Sequence, residues 1–181
     1  MKNYVLFFQG GGGQEDHDAD QKMVASLQSY LSSEYEIRYP LLANEEAPDF
    51  GRIKQIAHEI SVSKEPLILV AHSLGASSLL KYLSEFKITK TIAGIFLMAT
   101  PFWSGKEEWE KPLKLESNFA EKLNKDIPLF FYHNHDDEEA PFAQFEHYKG
   151  LLPWATFRAL PSGGHQFVKG LQAIADDIQG L

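Results

Sequence analysis

The chain has 181 residues, enough for one domain with a sizeable core, and its 44% hydrophobic and 23% charged residues are typical of globular proteins. A net charge of −8 with no basic cluster argues against nucleic acid or an anionic membrane surface as a partner. The absence of cysteine excludes disulfides and thiol chemistry.

The first predicted strand, Asn3 to Gln9, runs into four glycines, Gly10 to Gly13. Its apolar part, Tyr4 to Phe8, is too short for a signal peptide or a membrane span, so we expect a soluble, cytoplasmic protein. The glycines match neither a Walker motif nor, cleanly, a dinucleotide-binding loop. We therefore predict half of an oxyanion hole, with the amide of Gly11 as donor. A flexible turn is the alternative.

An acidic run, Asp16 to Asp20, follows the glycines and could bind a metal ion. The run is better explained as the first turn of a helix, where acidic side chains interact favourably with the helix dipole. We predict that Asp18 is the N-cap and that Gln21 completes a capping box. The apolar face of this helix would comprise Met23, Val24, Leu27, Tyr30 and Leu31.

A short strand, Tyr35 to Tyr39, and a second helix come next. Asp49 is the predicted N-cap of that helix, and His58 is expected on its surface. Apolar residues at helical spacing predict the buried face of this helix, which would comprise Ile53, Ile56, Ala57 and Ile60.

The stretch from Pro66 to Tyr82 predicts a strand, a tight turn and a helix around one serine. Ser73 stands at the turn, in Ala71-His72-Ser73-Leu74-Gly75, where a strained backbone would expose its hydroxyl. Ala71 and Gly75 are small, as the close passage of strand and helix requires. A chance match to the pattern is the alternative to a nucleophile.

The two neighbours of Ser73 have separate predicted roles. The amide of Leu74 lies at the start of the helix, whose N-terminus favours developing negative charge, so we predict Leu74 as the second oxyanion donor. The side chain of His72 is expected to point away from Ser73.

A fourth strand, Ile92 to Met98, is followed by an irregular segment from Trp103 to Lys114. This segment offers the only room for a cap over the site, and its length excludes a large lid domain. The aromatic side chains here, Trp109 included, could cover the core or form the wall of an acyl pocket. We assign Phe102 and Trp103 to substrate binding.

A fifth strand, Ile127 to Tyr132, opens into a loop with four consecutive acids, Asp136 to Glu139. His133 and His135 flank these acids and are expected at the surface, although with Asp136 they could form a metal site. The remaining chain predicts a helix from Phe142 to about Gly150 and a strand from Ala155 to Leu160. A glycine loop from Pro161 to His165 and a terminal helix from there to about Gln179 follow.

Six strands alternate with helices, and none has the pattern of a hairpin partner. We therefore predict an α/β fold in a single domain, 1–181: a three-layer sandwich with a six-stranded parallel sheet. Ligands of such sheets bind beyond the carboxyl ends of the strands. The glycine loop, the serine turn, the acidic loop and the Gly163-Gly164-His165 loop all follow such ends, so we expect them to meet in one site.

A serine hydroxyl becomes a nucleophile when a base takes its proton, and the base needs an acid to orient it. Ser73, an acidic loop and His165 follow one another in the order serine, acid, histidine, which resembles the α/β-hydrolase superfamily. The segments that match family motifs are Gln9-Gly10-Gly11, His72-Ser73-Leu74-Gly75, Pro128 to Pro141 and Gly163-Gly164-His165.

The resemblance covers nearly the whole chain, and its acid motif implies Asp137 rather than Asp136 as the orienting acid. Gln9 replaces the family's usual histidine, Ala71 the first glycine of the serine turn and Asn134 the glycine of the acid motif. The usual N-terminal hairpin and a large lid are missing. The chain is therefore similar to compact single-domain serine hydrolases, the group that includes the retinoblastoma-binding protein and bacterial esterases.

The resemblance implies a serine hydrolase that cleaves a small carboxylic ester or thioester through an acyl-enzyme, without a cofactor or a metal. Ser73, His165 and Asp137 would form the triad, and Leu74 and Gly11 the oxyanion hole. A protein-binding module on the same fold is the alternative function, because a fold does not determine an activity. Peptide or amide cleavage also stays open, as does the oligomeric state.

Overall fold

Six parallel strands form one sheet in the order β2-β1-β3-β4-β5-β6. The structure, a computed structural model, describes residues 2–181. The chain runs from β1 outward to β2 and then returns to β3 on the other side of β1, which creates a switch point between β1 and β3. The strands are β1 Asn3–Phe8, β2 Tyr35–Arg38, β3 Leu67–His72, β4 Ile92–Met98, β5 Leu129–Asn134 and β6 Thr156–Leu160.

Helices cover both faces of the sheet, which confirms the predicted three-layer α/β fold. Helices α1 and α6 pack on one face, and α2 to α5 pack on the other. Within residues 2–181, no helix is long and apolar enough to cross a membrane. The helices are α1 Gln14–Tyr30, α2 Arg52–Val62, α3 Ser73–Glu85, α4 Phe119–Lys122, α5 Phe142–Leu151 and α6 Leu171–Gln179, with a 3₁₀ helix at Glu108–Leu113.

The central strand β3 explains how the two cores are built from one apolar run. All six of its residues are buried. Leu67, Leu69 and Ala71 join the core under α2 to α5, whereas Ile68 and Val70 join the core under α1 and α6, as the two-residue period of a strand requires. Burial of each large aliphatic side chain contributes about 2 kcal/mol. The nucleophile turn therefore follows the most firmly held strand of the sheet.

Two predicted helix starts are wrong. Helix α1 begins at Gln14 rather than near Asp18, because the glycine loop leads directly into the helix and Gly13 occupies the N-cap. Helix α6 begins at Leu171 rather than just after His165, because Gly170 adopts a left-handed conformation with φ of 91° immediately before it. The predicted N-cap of α2 is wrong as well: Gly51, with φ of 75°, occupies that position, although the carboxylate of Asp49 accepts the amide of Ile53 at 3.0 Å.

Strand β5 extends two residues beyond its predicted end, to Asn134, because His133 and Asn134 pair with β6. The short helix α4 and the 3₁₀ helix of the cap segment were not predicted, since neither is long enough to show a helical period. The extension of β5 carries the acidic loop to the same edge of the sheet as the serine turn.

Candidate active site

Three polar side chains from three loops meet at the carboxyl edge of the sheet. Ser73 Oγ lies 2.9 Å from Nε2 of His165, and Nδ1 of His165 lies 3.1 and 2.9 Å from Oδ1 and Oδ2 of Asp137. Ser73 and His165 are 92 positions apart in the chain, so the parallel sheet is what brings them together. A hydroxyl, an imidazole and a carboxylate in this order can move a proton away from the hydroxyl.

Ser73 is the first residue of α3 and follows β3 directly. Its φ of 50° lies in the left-handed region, which costs a residue with a side chain about 1–3 kcal/mol. At Gly75, a Cβ would collide with the backbone oxygen of Gln9 and would lie 3.0 Å from that of Phe8. The first amides of a helix have no acceptor within the helix, so the amide of Leu74 is available beside the hydroxyl.

Asp137 is buried in the loop after β5, and its carboxylate accepts several hydrogen bonds. Oδ1 accepts the amides of Glu139 and Ala140, both at 2.9 Å, while Oδ2 faces His165. Burial by itself would raise the pKa of Asp137, but the hydrogen bond and charge of His165, together with the two amides, hold that pKa below its ordinary value. The carboxylate therefore stays ionised beside the imidazole.

Asp136, the adjacent acid, is exposed and contacts the loop of His165 rather than its ring. Its Oδ1 accepts the amides of Gly163 at 3.0 Å and Gly164 at 2.9 Å. Gly163 has φ of 153°, and a Cβ there would lie 2.9 Å from the carbonyl oxygen of Lys169. The two consecutive acids therefore have different contacts, and Asp137 is the one that reaches the imidazole.

Opposing effects shift the pKa of His165. Burial lowers it, but the hydrogen bond and charge of Asp137, followed by the charges of Glu139 and Asp20, raise the pKa above its ordinary value of 6.5. Oε2 of Glu139 lies 3.6 Å from Nε2 of His165, on a side chain that is 69% exposed. The imidazole is thus stabilised when it takes up a proton.

The glycine loop is held on both sides, and one of its amides is left free. The amides of Gly10 and Gly12 donate to carboxylates of α1, at 2.8 and 2.6 Å. In the part of the chain that the structure describes, the amide of Gly11, a residue with φ of 46°, forms no hydrogen bond. A Cβ on Gly10 would lie 3.0 Å from Cβ of Ser73, so the loop packs against the nucleophile. A free amide here suits an oxyanion hole.

Three charged residues behind the glycine loop hold it, and the sequence analysis did not single them out. Asp20 and Asp16 accept the two loop amides. Arg52 is fully buried at the start of α2 and donates to the carbonyl oxygen of Gly11 at 2.9 Å. The position of Asp20, three residues before Met23 on the apolar face of α1, was a signal that its side chain points inward. Arg52 carried no such signal.

Gln9 replaces the histidine that the family resemblance predicts, and its side chain binds the far end of the glycine loop. The side chain is fully buried. Its Oε1 accepts the amide of Leu42 at 2.8 Å, and its Nε2 donates to the carbonyl oxygen of Gly13 at 3.0 Å. The glutamine therefore anchors the loop at both ends, and the departure from the family pattern leaves the loop ordered.

The expected surface position of His133 is wrong, since its side chain is 1% exposed. Its Nε2 donates to the carbonyl oxygen of Ala140 at 2.8 Å and lies 3.6 Å from Oδ2 of Asp137. Burial is the main cause that lowers the pKa of His133, so the ring is neutral near pH 7. His133 thus supports the loop that carries Asp137.

His135 and His58 are exposed, as expected, and the ring of His135 stacks on Phe142 at 4.0 Å. Within residues 2–181, no group of three or more acidic or histidine side chains could hold a metal ion. Neither the acidic run of α1 nor the histidines beside Asp136 therefore form the metal site that their sequence suggested.

The two aromatic residues assigned to substrate binding lie in different places. Phe102 packs edge-on against His147 and Tyr148 of α5, with ring centroids 4.3 and 5.4 Å apart. Trp103 lies against α3, where its Nε1 donates to Oγ of Ser77 at 2.9 Å. Ser77 is one helical turn after the nucleophile turn, so Trp103 is the better placed of the two to reach a substrate.

The side of the site near His165 is open to solvent. A shallow groove of about 520 Å³ runs along the loop of His165 and the acidic loop, and its lining includes His165, Glu138, Glu139 and Lys169.

A family model described as serine hydrolase matches residues 28–170 of this chain. This segment includes the serine turn, the acidic loop and the Gly163-Gly164-His165 loop. No curated protein sequence matches the chain significantly.

Several solved structures share the fold. A protein from Xanthomonas campestris assigned to the α/β superfamily of hydrolases is 18% identical with a TM-score of 0.64, and the match covers all of both chains. The thioesterase domain from the curacin biosynthetic pathway is 17% identical with a TM-score of 0.71, covering 99% of this chain and 92% of that one. The esterase domain of a Rhodothermus marinus protein is 16% identical with a TM-score of 0.63, covering 98% and 84%.

Proposed function

This chain belongs to the serine hydrolase family, within the α/β-hydrolase superfamily, and we propose that it cleaves small carboxylic esters or thioesters through an acyl-enzyme. One observation carries the proposal: the hydrogen-bonded chain from Ser73 Oγ through His165 to the Asp137 carboxylate. The esterase and thioesterase domains named above share the fold at low identity and are consistent with this substrate class.

Acylation begins when Ser73 Oγ attacks the acyl carbonyl carbon. His165 takes the hydroxyl proton at Nε2 and then delivers it to the leaving alcohol or thiol. Asp137 keeps the other ring proton on Nδ1 and stabilises the imidazolium that forms. Water, activated by the same histidine, then attacks the acyl-enzyme and releases the carboxylic acid.

The tetrahedral oxyanion would accept hydrogen bonds from the amides of Leu74 and Gly11. Leu74 is at the N-terminus of α3, and the amide of Gly11 has no partner in the part of the chain that the structure describes. Each such donor contributes about 3 kcal/mol to transition-state stabilisation.

The surroundings of the site favour short acyl groups. The cap segment is small, with one 3₁₀ helix at Glu108–Leu113, and Trp103 and Trp109 pack edge-on at 5.2 Å in front of α3. We infer that Trp103 forms one wall of the acyl site and that Phe102 supports it from the side of α5.

Covalent labelling with a fluorophosphonate probe tests the nucleophile. We expect the probe to modify Ser73, because attack on phosphorus with loss of fluoride needs the same activated hydroxyl. Labelling should vanish in Ser73→Ala, and mass spectrometry of the modified peptide would locate the adduct. Ser78→Ala is a matched control, since Ser78 lies buried on the same helix and its Oγ has no hydrogen-bond partner within residues 2–181.

Absence of labelling in the folded wild-type protein would contradict the proposal and favour a protein-binding module on the same fold. Labelling without turnover of any ester or thioester in a chain-length series would contradict the substrate class and favour amide or peptide cleavage.

The dependence of kcat/KM on pH reports the pKa of His165. The base acts only when it is neutral, so activity should fall as pH drops through a pKa above 6.5. Glu139→Gln removes a nearby negative charge that raises this pKa. The acid limb should therefore move to lower pH by about 0.2–0.7 pH units, the range for an exposed charge pair.

Glu138→Gln is the control for this change, because Glu138 is an exposed neighbouring acid with no close contact to the ring of His165. We expect its pH profile to overlay that of the wild type. An equal displacement in both variants would mean that net charge, rather than the contact of Glu139 with Nε2, sets the pKa.

We propose further that the chain is a single domain over 1–181, that it belongs to the group of the retinoblastoma-binding protein, and that it acts in the cytoplasm without a cofactor.

A further inference from the structure

A second histidine–aspartate pair lies buried beneath the proposed active site. Nδ1 of His72 is 2.8 Å from Oδ2 of Asp20, and the two side chains are 1% and 2% exposed. His72 immediately precedes Ser73, and Asp20 comes from the middle of α1. Burial of two charged groups costs several kcal/mol unless hydrogen bonds satisfy them. A pair with no contact to substrate therefore needs another explanation.

The hydrogen-bond partners determine where the protons lie. Nε2 of His72 is 2.9 Å from the backbone oxygen of His165, which can only accept, so Nε2 is a donor. Oδ2 of Asp20 also accepts the amide of Gly10, at 2.8 Å. Burial would raise the pKa of Asp20, but the hydrogen bond and charge of His72, with the amide of Gly10, hold it below its ordinary value. Both ring nitrogens of His72 therefore have buried hydrogen-bond partners, one on α1 and one on the backbone of His165.

The pair connects the two halves of the site. Asp20 binds the glycine loop, and His72 binds the backbone of the residue proposed as the base; the rings of His72 and His165 are 4.8 Å apart. Contact with the loop is tight, because a Cβ on Gly10 would lie 2.8 Å from Nδ1 of His72. One hydrogen-bonded pair thus touches the glycine loop, α1, the turn that carries Ser73 and the loop that carries His165.

We propose that His72 and Asp20 form a positioning pair, which holds the glycine loop and the backbone of His165 at a set distance from Ser73. This inference rests on the proposed function, since it assigns the pair a role in that same site. Neither residue contacts the reacting atoms. Their effect on rate would be geometric, and a misplacement of about 1 Å costs about 10²-fold in rate.

Two substitutions of His72 separate its two contacts. His72→Asn places an amide nitrogen near the position of Nδ1, so it can keep the hydrogen bond to Asp20 but loses the one to the backbone oxygen of His165. His72→Gln places its amide nitrogen near the position of Nε2, so it can keep the bond to His165 but loses the one to Asp20. Asp20→Asn keeps the shape of the acid but removes its charge, so the hydrogen bonds that His72 and Gly10 make to Oδ2 lose their charge assistance.

We expect each variant to lower kcat about 10- to 100-fold on a short-chain ester, with KM nearly unchanged, because the pair acts on geometry needed in the transition state. The double variant Asp20→Asn/His72→Gln should lose little more than the worse single variant, since both changes act on the one contact between Nδ1 of His72 and Asp20. Thermal melting, measured alongside, identifies variants that lose rate only because they unfold. Folded variants with kcat within twofold of the wild type would overturn the inference.

NMR of the protein with ¹⁵N-labelled histidine tests the pair without relying on activity. One imidazole should carry a proton on Nε2 that exchanges slowly with solvent, because it donates to the buried backbone oxygen of His165, and this signal should be absent from His72→Gln. A His72 ring without a proton on Nε2 would overturn the inference.

The wild-type protein separates this inference from the proposed function. If it turns over no ester and reacts with no fluorophosphonate, the proposed function fails, and the positioning role fails with it. If the wild type reacts and the His72 and Asp20 variants react at the same rate, the positioning role fails alone.

Discussion

Replacing Asp137 with asparagine is expected to lower kcat by about 10⁴-fold. Among substitutions of a carboxylate by its amide, this is the largest effect that we expect in this site. The side-chain amide of asparagine can donate to Nδ1 of His165 and so favours the tautomer that carries its proton on Nε2. That tautomer cannot take the proton of Ser73. Steady-state kinetics on a short-chain ester, together with fluorophosphonate labelling rates, would measure the loss.

The adjacent acid provides a control of the same chemistry. Asp136→Asn retains an oxygen that can accept the amides of Gly163 and Gly164, so we expect kcat to fall by less than about tenfold, the cost of weakening a charge-assisted hydrogen bond. A larger loss in Asp136→Asn than in Asp137→Asn would mean that the other acid orients His165.

Gly75→Ala is expected to be the most destabilising single-methyl change in the nucleophile turn. The new Cβ would collide with the backbone oxygen of Gln9 and lie 3.0 Å from that of Phe8. Both are backbone atoms at the end of β1, so α3 must move away from the sheet. We expect a loss of about 3 kcal/mol in the free energy of unfolding, at the upper end for overpacking, and a Tm lower by about 6–12 °C.

Gly150→Ala is the matched control, with an expected change of opposite sign. Gly150 lies in α5, and an added Cβ there would have no atom within 4 Å. Alanine in a helix is favoured over glycine by about 0.5–1 kcal/mol, so Tm should rise slightly. Thermal melts of the two variants would check both signs. A Gly75→Ala protein as stable as the wild type would mean that the turn has more room than the structure shows.

The order of elements followed from local features of the sequence. The apolar run Leu67 to Ala71, the small residues around Ser73 and the helical spacing after them predicted a strand, a turn and a helix, and β3 and α3 have those positions. Parallel pairing followed because helices alternate with strands. Helix starts at glycines were missed, because a glycine permits a helix start without the side-chain cap that marks it in a sequence.

The acidic loop shows what a local sequence pattern does not predict, namely which of several adjacent acids contacts His165. Four consecutive acids are equivalent in composition, and only a family motif favoured Asp137 over Asp136. In the structure, Asp137 is buried against His165 while Asp136 is exposed and binds Gly163 and Gly164. Neighbouring side chains in a turn point in different directions, and the strand register of β5 and β6 decides which one faces the imidazole.

The sequence by itself therefore determined the fold class, the turn that carries Ser73 and the edge of the sheet where the candidate site forms, since these depend on periods of a few residues. Tertiary structure alone decided which polar side chains are buried. Four side chains of polar types that usually lie at the surface are buried here, namely those of Asp20, Arg52, His72 and His133. Asp20, Arg52 and His72 have partners 41 to 93 positions away in the chain. His133 instead contacts the carbonyl oxygen of Ala140, in the loop that follows its own strand. Burial of a charge is stable only where its partners are assembled, and the folded sheet assembles them.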